Sequence, residues 1–150
     1  ADLGAGTGVL GIGALLLGAK HVSFVEKDLA AVSVLQQNLH ILRNKNYSVI
    51  NMDVTAFTTP VHTVFQNPPF GTKIHHADKP FLEVACSVAE VVYSFHKTAT
   101  DVFVQALATD YGFTVAEIYK FLFPLRQTYP HQKKRRELIE VTCYRLVKQR

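Results

Sequence analysis

Four consecutive residues, Asn67-Pro68-Pro69-Phe70, combine two hydrogen-bond acceptors with an aromatic face and could hold a planar amine. The Asn67 side-chain oxygen and the Pro68 carbonyl could each accept one N–H, while Phe70 stacks on the ring that carries the amine. Such an amine is a poor nucleophile because its lone pair is delocalised, so it must be held against a methyl donor. The motif, stiffened by its two prolines, predicts methyl transfer to an exocyclic nitrogen such as adenine N6. Asn-Pro and Pro-Pro also mark ordinary turns.

A glycine-rich segment near the start of the chain predicts a nucleotide-binding loop. Gly4, Gly6 and Gly8 allow a tight turn and a close approach to a ligand, and the apolar run that follows begins a helix whose first amides would point at it. The pattern Gly6-x-Gly8-x-x-Gly11 also matches dinucleotide-binding folds, in which the glycines receive a pyrophosphate. Asp2 instead suits a ligand with an ammonium group, and S-adenosylmethionine has a cationic amino acid end and no phosphate.

Two further acidic residues close predicted strands. Glu26 follows a short apolar strand, about 20 residues after the glycine loop, where a carboxylate can bind ribose hydroxyls. Asp53 ends a strand over 47–52 and could accept a hydrogen bond from the adenine amine of a cofactor, although an acidic residue at a strand end is common. Asp28 is predicted to cap the following helix, over 29–43.

The elements that must position these residues alternate between strands and helices. Apolar periodicity predicts strands over 22–25, 47–52, 61–66, 91–95, 113–123 and 137–147, and helices over 9–17, 29–43, 79–90 and 98–111. With the strand that ends at Leu3 they complete a seven-stranded sheet. Each candidate site then lies at the carboxyl end of a predicted parallel strand, which is where open α/β sheets bind ligands.

In this order the motifs resemble those of the class I S-adenosylmethionine-dependent amino-methyltransferases: Asp2-x-Gly4-x-Gly6-x-Gly8, Glu26, Asp53 and Asn67-Pro68-Pro69-Phe70. More narrowly, residues 67–73, the segment from Val92 to Lys97, and the basic stretch leading to Glu140-Val141 look like the methyltransferase-like five family and its archaeal relatives. Members of that family methylate adenine N6 in small-subunit ribosomal RNA. The resemblance implies S-adenosylmethionine as cofactor and a Rossmann-like α/β fold, whose seven-stranded, mostly parallel sheet has an antiparallel C-terminal strand and helices on both faces.

The resemblance also implies a partner and a domain organisation. Residues 1–150 form a single methyltransferase domain, and because complete members have a segment before the glycine loop, we expect this domain to lack its N-terminal segment. A small zinc-ribbon activator subunit is expected to pair with the sheet edge near the third strand. Tyr47, Val49 and Ile50 could serve there or could be core residues.

The connection over 124–136, between the last two strands, carries the strongest positive cluster of the chain. If the sixth strand is parallel to the others, this connection emerges beside the Asn67 loop, where its cations could contact RNA phosphates. Lys73 and Lys97 could extend the cluster, whereas His96 could equally be a satisfied strand-end histidine. The alternative is a solvated hairpin loop. The basic residues of the cluster are Arg126, Lys133, Lys134, Arg135 and Arg136.

The composition agrees with a single domain in a reducing compartment. The chain has 150 residues, 48% of them hydrophobic, and a net charge of +4. No apolar run is long enough to span a bilayer, and two cysteines provide no disulfide framework, which favours the cytoplasm. His75 and His76 lack the spacing partners of a metal site, so no metal is expected.

These features predict a reaction and leave alternatives. The amine would attack the sulfonium methyl in line and lose its proton to water afterwards, without a strong general base. One alternative is a protein methyltransferase that acts on the glutamine N5 amide through a similar Asn-Pro-Pro-aromatic loop. Another is an inactive cofactor-binding module that docks on the ribosome.

Overall fold

The computed structural model describes residues 1–43, 45–69, 77–126 and 136–149; at 124–126, 136 and 137 it describes the backbone alone. Seven strands form one sheet: β1 (Asp2–Leu3), β2 (Val22–Glu26), β3 (Tyr47–Asn51), β4 (Val61–Gln66), β5 (Ala89–Lys97), β6 (Phe113–Arg126) and β7 (Arg136–Lys148). Their spatial order is β3-β2-β1-β4-β5-β7-β6. Strands β1 to β5 pair in parallel, while β7 runs antiparallel to both β5 and β6. The predicted seven-stranded, mostly parallel sheet with an antiparallel last strand is confirmed.

In the described part of the chain, four α-helices cover this sheet: α1 (Val9–Leu16), α2 (Leu29–His40), α3 (Lys79–Val88) and α4 (Asp101–Asp110). Helix α2 begins where predicted, because the Asp28 carboxylate accepts a hydrogen bond from Ala30 N over 2.8 Å. It ends at His40, earlier than the predicted residue 43. There Lys45 Nζ donates to the carbonyls of Leu39 and His40, over 3.4 and 3.1 Å, and so caps the end of the helix.

The helices lie on both faces of the sheet. Phe24 and Val25 are neighbours on β2 and therefore point to opposite faces. Phe24 packs in a cluster with Leu15 of α1 and Leu35 of α2. Val25 packs in a second cluster, which includes Leu82 of α3. The sheet is thus buried between two apolar layers, and its carboxyl edge is left to form a site.

The last two strands extend beyond the rest of the sheet. The pairing of β5 with β7 ends at Lys97 and Val141, but β6 and β7 stay paired as far as Arg126 and Arg136. Because β5 and β6 both run antiparallel to β7, β6 is parallel to β5. The end of β6 and the start of β7 therefore lie at the edge where β4 ends and Asn67 begins, so the condition on which the sequence placed the basic connection beside Asn67 is met.

Helix length also bears on the membrane question. In the described part of the chain, no helix is long and apolar enough to cross a bilayer.

Candidate active site

The carboxyl ends of β1 to β4 meet around a pocket of about 480 Å³. Three of its lining residues carry polar groups that the sequence singled out: Glu26, Asp53 and Asn67. Gly4 and Pro69 line it as well, so the glycine loop, the two acidic strand ends and the Asn67 motif each contribute a residue to the same cavity. Apolar walls come from Met52, Val54 and Phe81. This arrangement suits a ligand with hydroxyl or amino groups and a planar ring.

The glycine loop forms the tight turn that the sequence predicted. Gly4, Gly6 and Gly8 have φ angles of 67°, 55° and 92°, in the left-handed region that favours glycine. A Cβ on Gly8 would lie 2.3 Å from Leu35 Cδ1, and one on Gly4 would lie 2.6 Å from Phe81 Cε1. Side chains at these two positions would clash with the packing of α2 and α3.

Asp2 is buried below the pocket rather than in its wall. Its side chain is 2% exposed and Oδ2 accepts a hydrogen bond from Gly11 N, in the first turn of α1, over 2.8 Å. Burial raises the pKa of Asp2 to about 6, although the hydrogen bond from Gly11 opposes this shift. This contact orients α1 against β1. Asp2, Gly6 and Gly8 are not among the described residues that line the pocket. The contact of Asp2 with an ammonium group therefore stays a prediction.

Glu26 is held in place from two sides. Its Oε2 accepts from Gly6 N over 2.8 Å, and its Oε1 accepts from Asp28 N over 2.9 Å. Asn51 supports the same strand end, because its Nδ2 donates to Glu26 O over 2.9 Å. Each carboxylate oxygen can accept a further hydrogen bond. The geometry thus leaves Glu26 able to receive hydroxyl donors from a ligand in the pocket.

Asp53 faces the pocket as part of a small polar cluster. Its Oδ1 accepts from Thr55 N and Thr55 Oγ1, over 3.0 and 2.8 Å, and its Oδ2 accepts from Lys27 Nζ over 3.1 Å. The Thr55 contacts, followed by Lys27, lower the pKa of Asp53 to about 2. Asp53 is therefore a carboxylate at any physiological pH.

Several lining residues were not predicted from the sequence, among them Thr55, Lys27 and Phe81. Thr55 had a local signal, since a residue two positions after Asp can supply the amide of a cap. Lys27 pairs with Asp53 across β2 and β3, and Phe81 reaches the pocket from α3. Neither of these contacts has a signal along the chain, because both depend on the order of elements in space.

The Asn67 segment enters the pocket from the end of β4. Asn67 and Pro69 are exposed and line the cavity, while Pro68 is buried. The structure therefore brings Asn67 to Glu26 and Asp53. The hydrogen-bonding role of the Pro68 carbonyl stays a prediction.

His96 is the satisfied strand-end histidine that the sequence left open. It is 1% exposed at the end of β5, and its Nδ1 lies 3.0 Å from Asp78 Oδ2. The next residue, Lys97, ends β5 at the same edge and is partly exposed. The end of β5, the strand that pairs with β4, thus carries the buried His96 and the partly exposed Lys97.

Several predicted residues cannot be placed. Phe70, Lys73, Lys133, Lys134 and Arg135 lie outside the described residues, as do His75 and His76, and only the backbone of Arg126 and Arg136 is described.

Comparison with known proteins gives the family. A family model described as "Conserved hypothetical protein 95" matches residues 1–91. The rRNA N6-adenosine-methyltransferase METTL5 of Danio rerio is 35% identical over 151 residues, which cover 97% of this chain and 73% of that protein. The chain belongs to the METTL5 family of methyltransferases. The family expected from the Asn-Pro-Pro-Phe motif and the glycine loop is confirmed.

Two archaeal relatives extend the METTL5 family match. An uncharacterized protein of Methanocaldococcus jannaschii is 32% identical over 159 residues, covering 98% of this chain and 72% of that protein. The crystal structure of a protein from Pyrococcus horikoshii, proposed to be an RNA methyltransferase, aligns with a TM-score of 0.89 at 42% identity. It covers 98% of this chain and 72% of that one. The class I methyltransferase fold is thereby confirmed.

Proposed function

We propose that this protein transfers a methyl group from S-adenosylmethionine to N6 of an adenine in small-subunit ribosomal RNA. The observation that carries this proposal is the position of Asn67, which lines the same pocket as Glu26 and Asp53. One cavity therefore contains both the side chain that would accept a hydrogen bond from the amine and the two carboxylates that would bind the cofactor.

The residues present fit S-adenosylmethionine as the cofactor. Glu26 would accept the ribose hydroxyls, and Asp53 would accept the adenine amine. A pyrophosphate would bind poorly, because the two carboxylates of the pocket would repel it and the Lys27 ammonium is already paired with Asp53. Asp2 would attract the ammonium of the amino acid end. When bound, the cofactor supplies an electrophilic methyl group on sulfonium.

Asn67 and its neighbours would prepare the acceptor nitrogen. The Asn67 oxygen and the Pro68 carbonyl would each accept one N–H of the adenine amine, which directs the nitrogen lone pair at the methyl group, and Phe70 would stack on the base. Methyl transfer would replace one N–H of the amine, and the displaced proton would go to water. The adenine must leave its stack to reach this pocket.

The long β6-β7 hairpin supports an RNA substrate. It reaches past β5 at the pocket edge, and its connection carries the basic cluster: Arg126, Lys133, Lys134, Arg135 and Arg136. Lys73 and Lys97 would extend this surface toward the pocket. Phosphate contacts by these cations would give affinity for RNA whatever its sequence.

A small zinc-ribbon activator subunit is the protein partner we propose. Strand β3 is at the edge of the sheet, and Tyr47, Val49 and Ile50 on it are partly exposed. An edge strand offers unpaired backbone groups that a second chain can extend. Cys86 and Cys143 are buried and unpaired, which agrees with action in the cytoplasm.

The experiment is a methyl-transfer assay with radiolabelled S-adenosylmethionine, followed by analysis of the product. The purified protein is incubated in parallel with unmethylated small-subunit ribosomal RNA and with ribosomal proteins, each with and without a zinc-ribbon activator. We expect N6-methyladenosine after digestion to nucleosides. Label on glutamine of a ribosomal protein instead would favour the protein N5-methyltransferase, and cofactor binding without transfer to either substrate would favour an inactive docking module.

A further inference from the structure

Four polar side chains form a hydrogen-bonded network inside the core, next to the Asn67 segment. Gln66 Nε2 donates to Ser94 Oγ over 2.9 Å. Ser94 Oγ lies 2.6 Å from His96 Nε2, and His96 Nδ1 lies 3.0 Å from Asp78 Oδ2. Gln66 and Ser94 are 0% exposed, His96 is 1% exposed and Asp78 is 8% exposed. We call these four residues the buried polar network.

When His96 is neutral, the donors and acceptors of the buried polar network run in one direction. The Asp78 carboxylate can only accept, so His96 Nδ1 carries a proton and donates to it. In neutral His96, Nε2 is then an acceptor, and the single hydroxyl proton of Ser94 is donated to it. Ser94 Oγ then accepts the hydrogen bond that Gln66 Nε2 donates. Each link therefore depends on the next.

The two ends of the network flank the candidate active site. Gln66 directly precedes Asn67, and Asp78 directly follows Ala77; Asn67 and Ala77 both line the pocket. The network thus connects the start and the end of segment 67–77 through two residues of β5. A shift of Ser94 or His96 would be transmitted to both ends.

Stability alone does not explain these residues. Their buried neighbours in the same core cluster, Val64, Leu82 and Val92, are apolar, and an apolar core of equal volume is often as stable as a buried polar one. Gln66 Oε1 is buried with no hydrogen-bond partner among the described residues, which is unfavourable.

The contacts of the Asp78 carboxylate also indicate that the network has a role other than stabilising the fold. It is at the N-cap of α3, where an aspartate ordinarily binds a helix amide. Among the described residues its carboxylate makes no such cap and instead meets His96.

The order Asp78-His96-Ser94 matches that of a hydrolytic triad, but it cannot serve as one. Ser94 is 0% exposed and lies within the sheet, so no substrate carbonyl can reach its hydroxyl. The network must act through the residues it holds.

We propose that the buried polar network positions Asn67 for methyl transfer, with Ser94 and His96 as positioning residues that touch neither RNA nor cofactor. This inference rests on the proposed function. The Asn67 oxygen has to meet the amine within hydrogen-bond distance, and a displacement of about 1 Å can lower a rate about 100-fold. The network fixes the strand end from which Asn67 projects, so it contributes to kcat rather than to binding.

The test compares Ser94→Ala and His96→Asn with a matched control. Ser94→Ala removes the middle hydroxyl, and Asn at 96 can donate to Asp78 but is too short to reach Ser94. The control is Ser23→Ala, which removes one hydroxyl from a Ser23–Ser48 contact of 3.2 Å on β2 and β3. We expect Ser94→Ala and His96→Asn to lower kcat about 10-fold, with the KM for RNA and the Kd for cofactor within about twofold of wild type. Ser23→Ala should leave all three constants unchanged.

A second measurement does not depend on activity. Amide hydrogen exchange of the peptide that ends at Asn67 should become faster in Ser94→Ala and not in Ser23→Ala. A wild-type kcat in both network variants, or unchanged exchange, would overturn the positioning role. Failure of the proposed function would look different, because the wild-type protein itself would then methylate no RNA.

Discussion

At the scale of single residues, burial of Asp2 and hydrogen bonding to Asp53 shift the pKa values of these two predicted cofactor carboxylates in opposite directions. Asp2 is enclosed by the core, and its pKa is raised to about 6. The Asp53 carboxylate accepts hydrogen bonds from Thr55 and Lys27, and these lower its pKa to about 2. Asp53 therefore keeps its charge down to acidic pH, whereas Asp2 carries a charge only above about pH 6. Recognition of a cationic ligand by Asp2 should weaken on acidification through this value.

The variant Asp2→Asn should separate the stability of the fold from cofactor affinity. Because the pKa of Asp2 in the folded protein is higher than the 3.8 expected in the unfolded chain, wild-type stability falls as pH rises from 3.8 to about 6. Asn can still accept from Gly11 N but carries no charge to desolvate. We expect the free energy of unfolding of Asp2→Asn, relative to wild type, to rise by about 3 kcal/mol over this interval.

Urea denaturation of both proteins across pH 4 to 7 measures this difference. Calorimetric titration at pH 7.5 should show weaker S-adenosylmethionine binding by Asp2→Asn, because the negative charge is lost. A constant stability difference across this range would contradict the buried, shifted carboxylate.

At the scale of elements, the glycine loop depends on how closely α1 packs against β2. A Cβ on Gly11 would lie 2.3 Å from Phe24 Cε1, so this glycine lets the helix approach the strand. Gly11 also donates to Asp2. Gly13 lies two residues later in the same helix, and an added Cβ there would have no neighbour within 4 Å among the described residues.

Alanine at these two positions should therefore have opposite effects. Gly11→Ala forces α1 away from Phe24 and is expected to lower the free energy of unfolding by about 1–3 kcal/mol. Gly13→Ala adds no clash and is expected to raise it by about 0.5–1 kcal/mol, since alanine favours helix. Thermal unfolding monitored by circular dichroism checks both. Equal effects would mean that the Gly11 contact does not control the packing of α1.

The same elements show which contacts the sequence could predict. Strand β4 has the predicted bounds, because its apolar run is bordered by Pro60 on one side and Asn67-Pro68 on the other. The Asp28 cap involves residues two apart and is therefore visible in the sequence. The contacts of His96 with Asp78 and of Lys27 with Asp53 are different, since each joins separate segments and requires the strand order. Period-2 alternation places Ser94 and His96 on one face of β5 but does not identify the helix that covers them.

At the scale of the whole molecule, one edge of the sheet collects the chemistry. The carboxyl ends of the parallel strands bring Gly4, Glu26, Asp53 and Asn67 to one pocket, and the β6-β7 hairpin extends beyond that edge. The motif order along the chain was enough to predict this edge, because parallel strands end on the same side. The position of the basic connection depended on the direction of β6. The sequence did not determine this direction, and the structure was needed to establish it. One side of the molecule can thus bind the methyl donor, the flipped base and the RNA backbone.

The most direct measurement is the single-turnover rate of methyl transfer to unmethylated small-subunit ribosomal RNA by wild type and by Asn67→Ala, with the Kd for S-adenosylmethionine measured on both. Asn67 is exposed, so the variant should fold normally. If Asn67 holds the adenine amine, the rate falls at least about 100-fold while the Kd stays within about threefold. A rate for Asn67→Ala within about threefold of wild type would contradict the role of Asn67 and with it the proposed mechanism.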